Sequence, residues 1–498
     1  MSTSPSPEEA WEPLAPGGWD PAAAAHLLRR AGWTAPPGEV DRAVRDGLGA
    51  TLDRLFPSEP LPWPLPEGAA RFEETRLARF QETSKAPPEE KRVRQREERE
   101  RAQAAVQDLA IRWLDYASQP GNSAFAKWVL MLGDVFVVAS EKVKNPAYLH
   151  RHFDILARGA FGSAPSLAKA VSRSPAMVIY LDLNESRREA PNENFARELL
   201  ELFLLGEGNY TESDIKEAAR AFTGYRVRPA QGEFFFARSQ HDDGAKTIFG
   251  RTGRFSGDDV IDLAYGLRPA GVRLPRKLAA FYLSDEPLPH GILESLGARW
   301  RDEGGFDLRW LAMKFFGSRT FFDPRHRAAF IKSPIQFHLG LLQDLSLCVT
   351  PLPRHTLAPL RQMGQVPFDP PNVRGWVGGR HWINSSTLAA RRNLVEMLLT
   401  PINLETLNAD EQRELAAGLG RGADNFTAGD GMGARFDGLA PGEAARRIAG
   451  TFTSAAARPE FIRALGEFIS GVPAGPARRL RIRRAVAAVL ESPEYELC

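Results

Sequence analysis

Apolar residues recur at helical spacing along nearly the whole chain, and only one short stretch departs from that period. The spacing predicts helices over about 122–139, 146–158, 164–174, 192–205, 211–222, 257–267 and 275–284. It predicts more over 289–302, 306–317, 334–345, 383–399, 408–418, 441–451, 458–469 and 476–491, with short ones near 21–30 and 40–48. Thr211 with Asp214 and Ser256 with Asp259 have the spacing of capping boxes. The exception is GEFFFARSQHDDGAKTIFG, residues 232–250: an aromatic run, a polar turn and a β-branched run, which reads as a small hairpin. Long strands do not alternate with helices, so Rossmann and barrel folds are disfavoured. The expected fold is mainly α: a large multihelical domain with one β-hairpin insertion near 230–250.

Organisation follows from local composition. Residues 1–18 are rich in Pro, Ser and Gly and are expected to be flexible. Residues 19–400 form the multihelical core. Within it, 67–116 is highly charged (EEKRVRQREERERAQAAVQ) and broken at Pro87 and Pro88. Mixed charges at helical spacing describe a solvated helix, with a partner-binding arm as the alternative. Residues 401–498 are expected to form a C-terminal helical subdomain of the same fold, with a Gly-rich loop at 421–438.

Several function classes are excluded. The 64 basic and 62 acidic residues nearly cancel, which argues against nucleic-acid binding by bulk charge. Cys348 and Cys498 make neither a zinc spacing nor a disulfide framework. The N-terminus lacks the basic and apolar regions of a signal peptide, so a cytoplasmic location is expected. The longest apolar run, Trp128 to Ala139, contains Asp134 and is too short to span a membrane. There is no P-loop, no GxGxxG after a strand, no HExxH and no GxSxG.

Three constellations remain. Glu193, Arg197 and Glu201 fall at i, i+4 and i+8 with Glu198 beside them. They suit a structural cluster, an acid/base pair or half of a carboxylate metal site. His241, Asp242 and Lys246 crowd one turn, as base and orienter, as ligands, or as a turn capping its own backbone. Residues 367–393 place Trp376 and Trp382 beside Asn372, Arg374, Arg380 and His381, before Asn384 or Ser385 caps a helix. A rigid loop with rings and arginines suits sugar or anion binding, and equally suits packing on a core.

NENFARELLEL, then the Tyr210-Thr211-x-x-Asp214 start, then HDDGAKTIFG, then PFDPPNVRGWVGG, taken in this order, resemble the bacterial family known as domain of unknown function 1800. AAHLLRRAGW near the start, SRSPAMVIYLD at 172–182, GDDVIDLAYG at 257–266 and SPEY at 492–495 extend the likeness over nearly the whole chain, most weakly at 401–455. The resemblance implies a largely helical fold and no established activity. It also implies frequent export, and a protein partner from a sulfatase-like family encoded nearby. The chain departs from the pattern at two places. A Trp-His-Asn-His-Phe-like run reads Leu132-Gly133-Asp134-Val135-Phe136, and a Glu-Leu-His reads Glu201-Leu202-Phe203. If the two places converge, the resemblance implies a His/carboxylate metal site in typical members. Here no metal is expected and metal-dependent chemistry is weakened or absent. The expected function is a binding or scaffold protein for a partner protein or an anionic ligand, through the Trp376–Trp382 loop. The alternative is a hydrolase using Glu198, Glu201 and His241. The cofactor is left open. Convergence of the three constellations on one pocket would favour the enzyme.

Overall fold

A computed structural model describes residues 6–228, 231–418, 426–428, 431–454 and 457–498. Twenty-three α-helices are found among these residues, with two small antiparallel ribbons. None of these helices is long and apolar enough to cross a membrane.

The β insertion holds two ribbons rather than one hairpin. β1 (Tyr225–Arg228) pairs with β2 (Glu233–Phe236), and β3 (Lys246–Ile248) pairs with β4 (Arg251–Gly253). The second turns through Phe249 and Gly250, both at positive φ, the geometry of a tight primed turn. A phenylalanine there is unusual, and the Asp214 carboxylate helps to hold it by accepting its N–H at 2.7 Å.

The charged segment folds as two antiparallel helices, Glu67–Lys85 and Pro88–Ser118. Pro88 sits in the first turn, where its missing N–H costs nothing. Pairs such as Arg94–Glu90 run along the second helix, and Arg79–Glu98 at 2.7 Å joins the two. Its C-terminal half buries Leu109, Trp113 and Leu114, while the far end of the pair leaves Phe80 65% and Val93 57% exposed.

One continuous apolar core runs from Trp11 to Tyr495 and includes Leu465 and Ile482 of the C-terminal helices. The described part of the N-terminal segment, expected to be flexible, is tied down. Trp11 is fully buried and its indole donates to Ile292 O at 2.7 Å, and Thr320 Oγ1 donates to Ala10 O at 2.7 Å. One buried indole and its flanking hydrogen bonds offset the ordering entropy that composition alone would leave unopposed. Of the Gly-rich stretch 421–438, residues 431–437 are helical and most of the rest lies outside the described residues.

Two helices shape the site. The Glu193–Glu198 helix continues as a π turn over Leu199–Leu204, closed by Leu205 N–H on Leu200 O at 2.9 Å. The helix expected from Pro275 begins earlier, at Arg268, with Pro269 in its first turn and Pro275 inside. An interior proline leaves the carbonyl four residues back, that of Gly271, without its helical partner. At this point the helix crosses Ile292–Asp302 backbone to backbone, so that a Cβ on Gly297 would lie 2.5 Å from Gly271 O.

Candidate functional site

The Trp376 loop meets the core at Asp134. Gly375 has φ +82°, and any side chain there would overlap the Asp134 carboxylate. Glycine lets the loop come close enough for the Trp376 N–H to reach Asp134 Oδ1 at 2.8 Å. Burial pushes the Asp134 carboxyl up to about 6, against the pull of Lys277 and of that N–H. Lys277 Nζ stands 3.9 Å from Asp134 Oδ2 and donates to Arg374 O at 3.3 Å. Its own pKa is lowered by burial.

Between these groups lies a cavity of about 90 Å³, lined among others by Lys127, Asp134, Lys277, Gln365, Trp376 and Trp382. Lys127 and Asp134 are seven residues apart on the Ser123–Val135 helix, two turns along one face. Lys127 Nζ donates to Arg30 O at 2.8 Å and Gly32 O at 2.9 Å, and lies 5.5 Å from the centre of the Tyr282 ring. Complete burial brings its pKa down to about 7. The Trp376 indole N–H is buried and has no acceptor among the described residues.

The carboxylate helix reaches the rim through Arg374. That guanidinium pairs with Glu201 and Glu207, both at 3.0 Å, and Glu201 also accepts the Tyr210 hydroxyl at 2.7 Å. The Glu198 side chain has no hydrogen bond or ion pair among the described residues, and burial together with Glu201 raises its pKa. Glu193 and Arg197 belong to a different set, Arg197 pairing with Glu193 at 3.3 Å and Glu212 at 2.8 Å. The single face expected from the i, i+4, i+8 spacing is divided because the backbone passes from α to π hydrogen bonding at Leu199.

The His241 turn keeps to itself. His241 is buried against the Phe236 ring, with Nδ1 2.9 Å from Thr223 O. Asp242 holds Arg220 at 2.7 Å, and that guanidinium keeps its pKa low. Lys246 Nζ donates to the carbonyls of Asp242 and Gly244. None of the three lines the cavity. In the third constellation Arg380 pairs with Asp285 and Glu286, and His381 is exposed. Asn372 shapes the loop by accepting Arg374 N–H, and Asn384 caps the Ser385–Leu399 helix.

Lys127, Lys277 and Gln365 were not among the residues the sequence marked. A lysine inside an apolar run, with an aspartate seven positions on, was a readable signal for Lys127. No local pattern marked Lys277. A larger cleft, about 630 Å³ between the charged hairpin and the body, is lined by Phe72, Val106 and Tyr148 and by charges of both signs. From the three constellations it takes only Pro367 and Asp369, at the start of the 367–393 stretch, and none of the candidate site residues.

The two places where the sequence departs from the family pattern do converge, since Phe136 and Phe203 stack edge to face at 5.5 Å. The positions that the resemblance gives to histidine hold Gly133, Val135 and Phe203, whose side chains have no donor for a metal, and among the described residues no three His, Cys, Asp or Glu side chains gather as ligands. No curated protein and no solved structure matches the chain. A family model does match, over residues 26–497, nearly the full length. The chain belongs to the family described as Protein of unknown function (DUF1800).

Proposed function

We propose that the protein is a binding protein whose Trp376-roofed cavity takes a small monoanion, a carboxylate of a few non-hydrogen atoms. The observation that carries this reading is the charge of the cavity wall. Two lysines, Lys127 and Lys277, face one carboxylate, Asp134, and an unpaired indole N–H stands beside them. Their formal charges sum to +1 once Lys127 holds its proton, and one anion neutralises that charge. The bound carboxylate accepts from Trp376 Nε1 and from Lys277, whose grip on Asp134 at 3.9 Å is loose. The hydrolase alternative needs Glu198, Glu201 and His241 around one space. Glu201 is held by Tyr210 and Arg374, and His241 is bonded to Thr223 O.

Calorimetric titration with acetate tests this. Acetate can gain at most about 6 kcal/mol at the ceiling for very small ligands, so the expected Kd is about 40 μM or weaker. Lys277→Met and Trp376→Phe should each weaken binding about tenfold, the usual loss of a hydrogen bond to a charged group. Affinity should rise as pH falls through 7 and Lys127 gains its proton. Affinity that is flat across this range, or unchanged in both variants, would refute the assignment.

A further inference from the structure

A second space lies on the other flank of the Arg268–Tyr282 helix. Its origin is the glycine crossing. Because Gly271 and Gly297 let two helices touch backbone to backbone, the longer side chains beside the crossing line an open groove instead of filling the contact. The groove has a volume of about 550 Å³.

Its walls are strongly one-signed. Arg268, Arg273 and Arg276 come from one helix and Arg301 from the other, with Glu294 as the sole acidic residue of the lining. Arg301 is neutralised by its neighbour Asp302 at 2.7 Å, and Arg276 has a loose partner in Glu294 at 3.6 Å. Arg273 spends its Nε on Leu202 O at 2.8 Å and has no ion pair among the described residues. Burial lowers its pKa, and the nearby Arg276 and Arg374 add to the effect. Arg268 is exposed, and its side chain makes neither a hydrogen bond nor an ion pair among the described residues. Two guanidiniums thus lack an ion pair among the described residues, with Asp302 acting on Arg268, and Glu207 and Glu201 on Arg273, only from a distance. Between them and the crossing, Val272 and Ala298 add apolar surface to the lining.

We propose that this groove binds a phosphomonoester: a phosphate dianion gripped by Arg268, Arg273 and Arg276, with an apolar body laid against Val272 and Ala298. A phosphomonoester carries about −1.5 to −2 charges at neutral pH, which matches the two unpaired guanidiniums. Planar guanidinium forks suit phosphate oxygens, which accept two hydrogen bonds from each. An ester group on the phosphate is required because a bare anion would leave the apolar part of the lining in water. The proposal is independent of the acetate cavity, which lies on the Lys277 side of the same helix.

The test is calorimetric titration of the full-length chain with phenyl phosphate, inorganic phosphate and benzoate, at low and at moderate salt. Phenyl phosphate should bind saturably, about tenfold more tightly than inorganic phosphate and than benzoate, and more weakly as salt rises. Arg268→Ala, at an exposed side chain with no partner to strand, should cost about tenfold in affinity, and Arg268→Lys should recover part of the loss. Trp376→Phe should leave phenyl phosphate binding unchanged, which separates this site from the cavity. Equal affinity for inorganic and phenyl phosphate would overturn the ester requirement. Binding indifferent to Arg268→Ala, or no saturation by phenyl phosphate in the millimolar range, would overturn the site.

Discussion

Lys127 shows what one buried charge does to the whole equilibrium. Its ammonium has two carbonyl acceptors and, among the described residues, no carboxylate partner, and its pKa falls to about 7, against about 10.4 in an unfolded chain. Folding therefore releases its proton at neutral pH, and the unfolded chain binds more protons between the two values. Stability must rise as pH climbs from about 7 towards 10, and is lowest below 7. Lys332, lowered to about 8 by the same cause, adds to the rise. Urea unfolding at both ends of this window should show the increase, and Lys127→Met should remove part of it. An identical increase in the variant would mean that Lys127 keeps its proton in the fold. At this scale the sequence was half legible. An aspartate and a lysine in an apolar run announce themselves, whereas Lys277 is one cation among many on an ordinary helix.

Elements were read best where the period was unbroken. The helices expected over 211–222 and 334–345 are found at Glu212–Ala221 and Pro334–Leu345. The misses each have a backbone cause. A π turn has no signature in a pattern read at 3.6 residues, so Glu201 was assigned to the face of Arg197 when it serves Arg374. Pro275 looked like a helix start because proline favours first turns, but Pro269 already fills that role. The Trp376 loop gives the sharpest prediction for an element. Gly375→Ala places a side chain at positive φ and against Asp134, and should cost about 2–4 kcal/mol while altering tryptophan fluorescence. Arg374→Ala, removing two ion pairs of an arginine that is 61% exposed, should cost about 1 kcal/mol or less. If the two denaturation midpoints shift equally, the close approach at Asp134 is not what holds the loop.

Across the whole molecule, contacts between distant parts of the chain close the fold. Trp11 bonds Ile292, 281 positions away, and near the other end Tyr495 donates to Asp344 while Glu496 pairs with the buried Arg391 at 2.5 Å. Composition marked the first residues as loose because it weighs each residue alone, and a single tryptophan with a carbonyl to reach outweighs many prolines. Trp11→Ala should therefore cost about 3–5 kcal/mol, the loss of a large buried ring, whereas Phe80→Ser at the exposed end of the charged hairpin should change stability by less than about 0.5 kcal/mol. Equal melting temperatures for the two variants would contradict the burial of Trp11.

The Arg268–Tyr282 helix is also a party wall. Arg273 and Arg276 open on one chamber and Lys277 on the other, and Pro275 between them removes one rung of the ladder that would stiffen the partition. If both chambers bind as proposed, their occupants share this helix as a boundary, and thermodynamic linkage makes any influence between them mutual. Whatever factor a phosphate ester in the outer chamber applies to the affinity of the inner one for its anion, that anion applies to the ester in return.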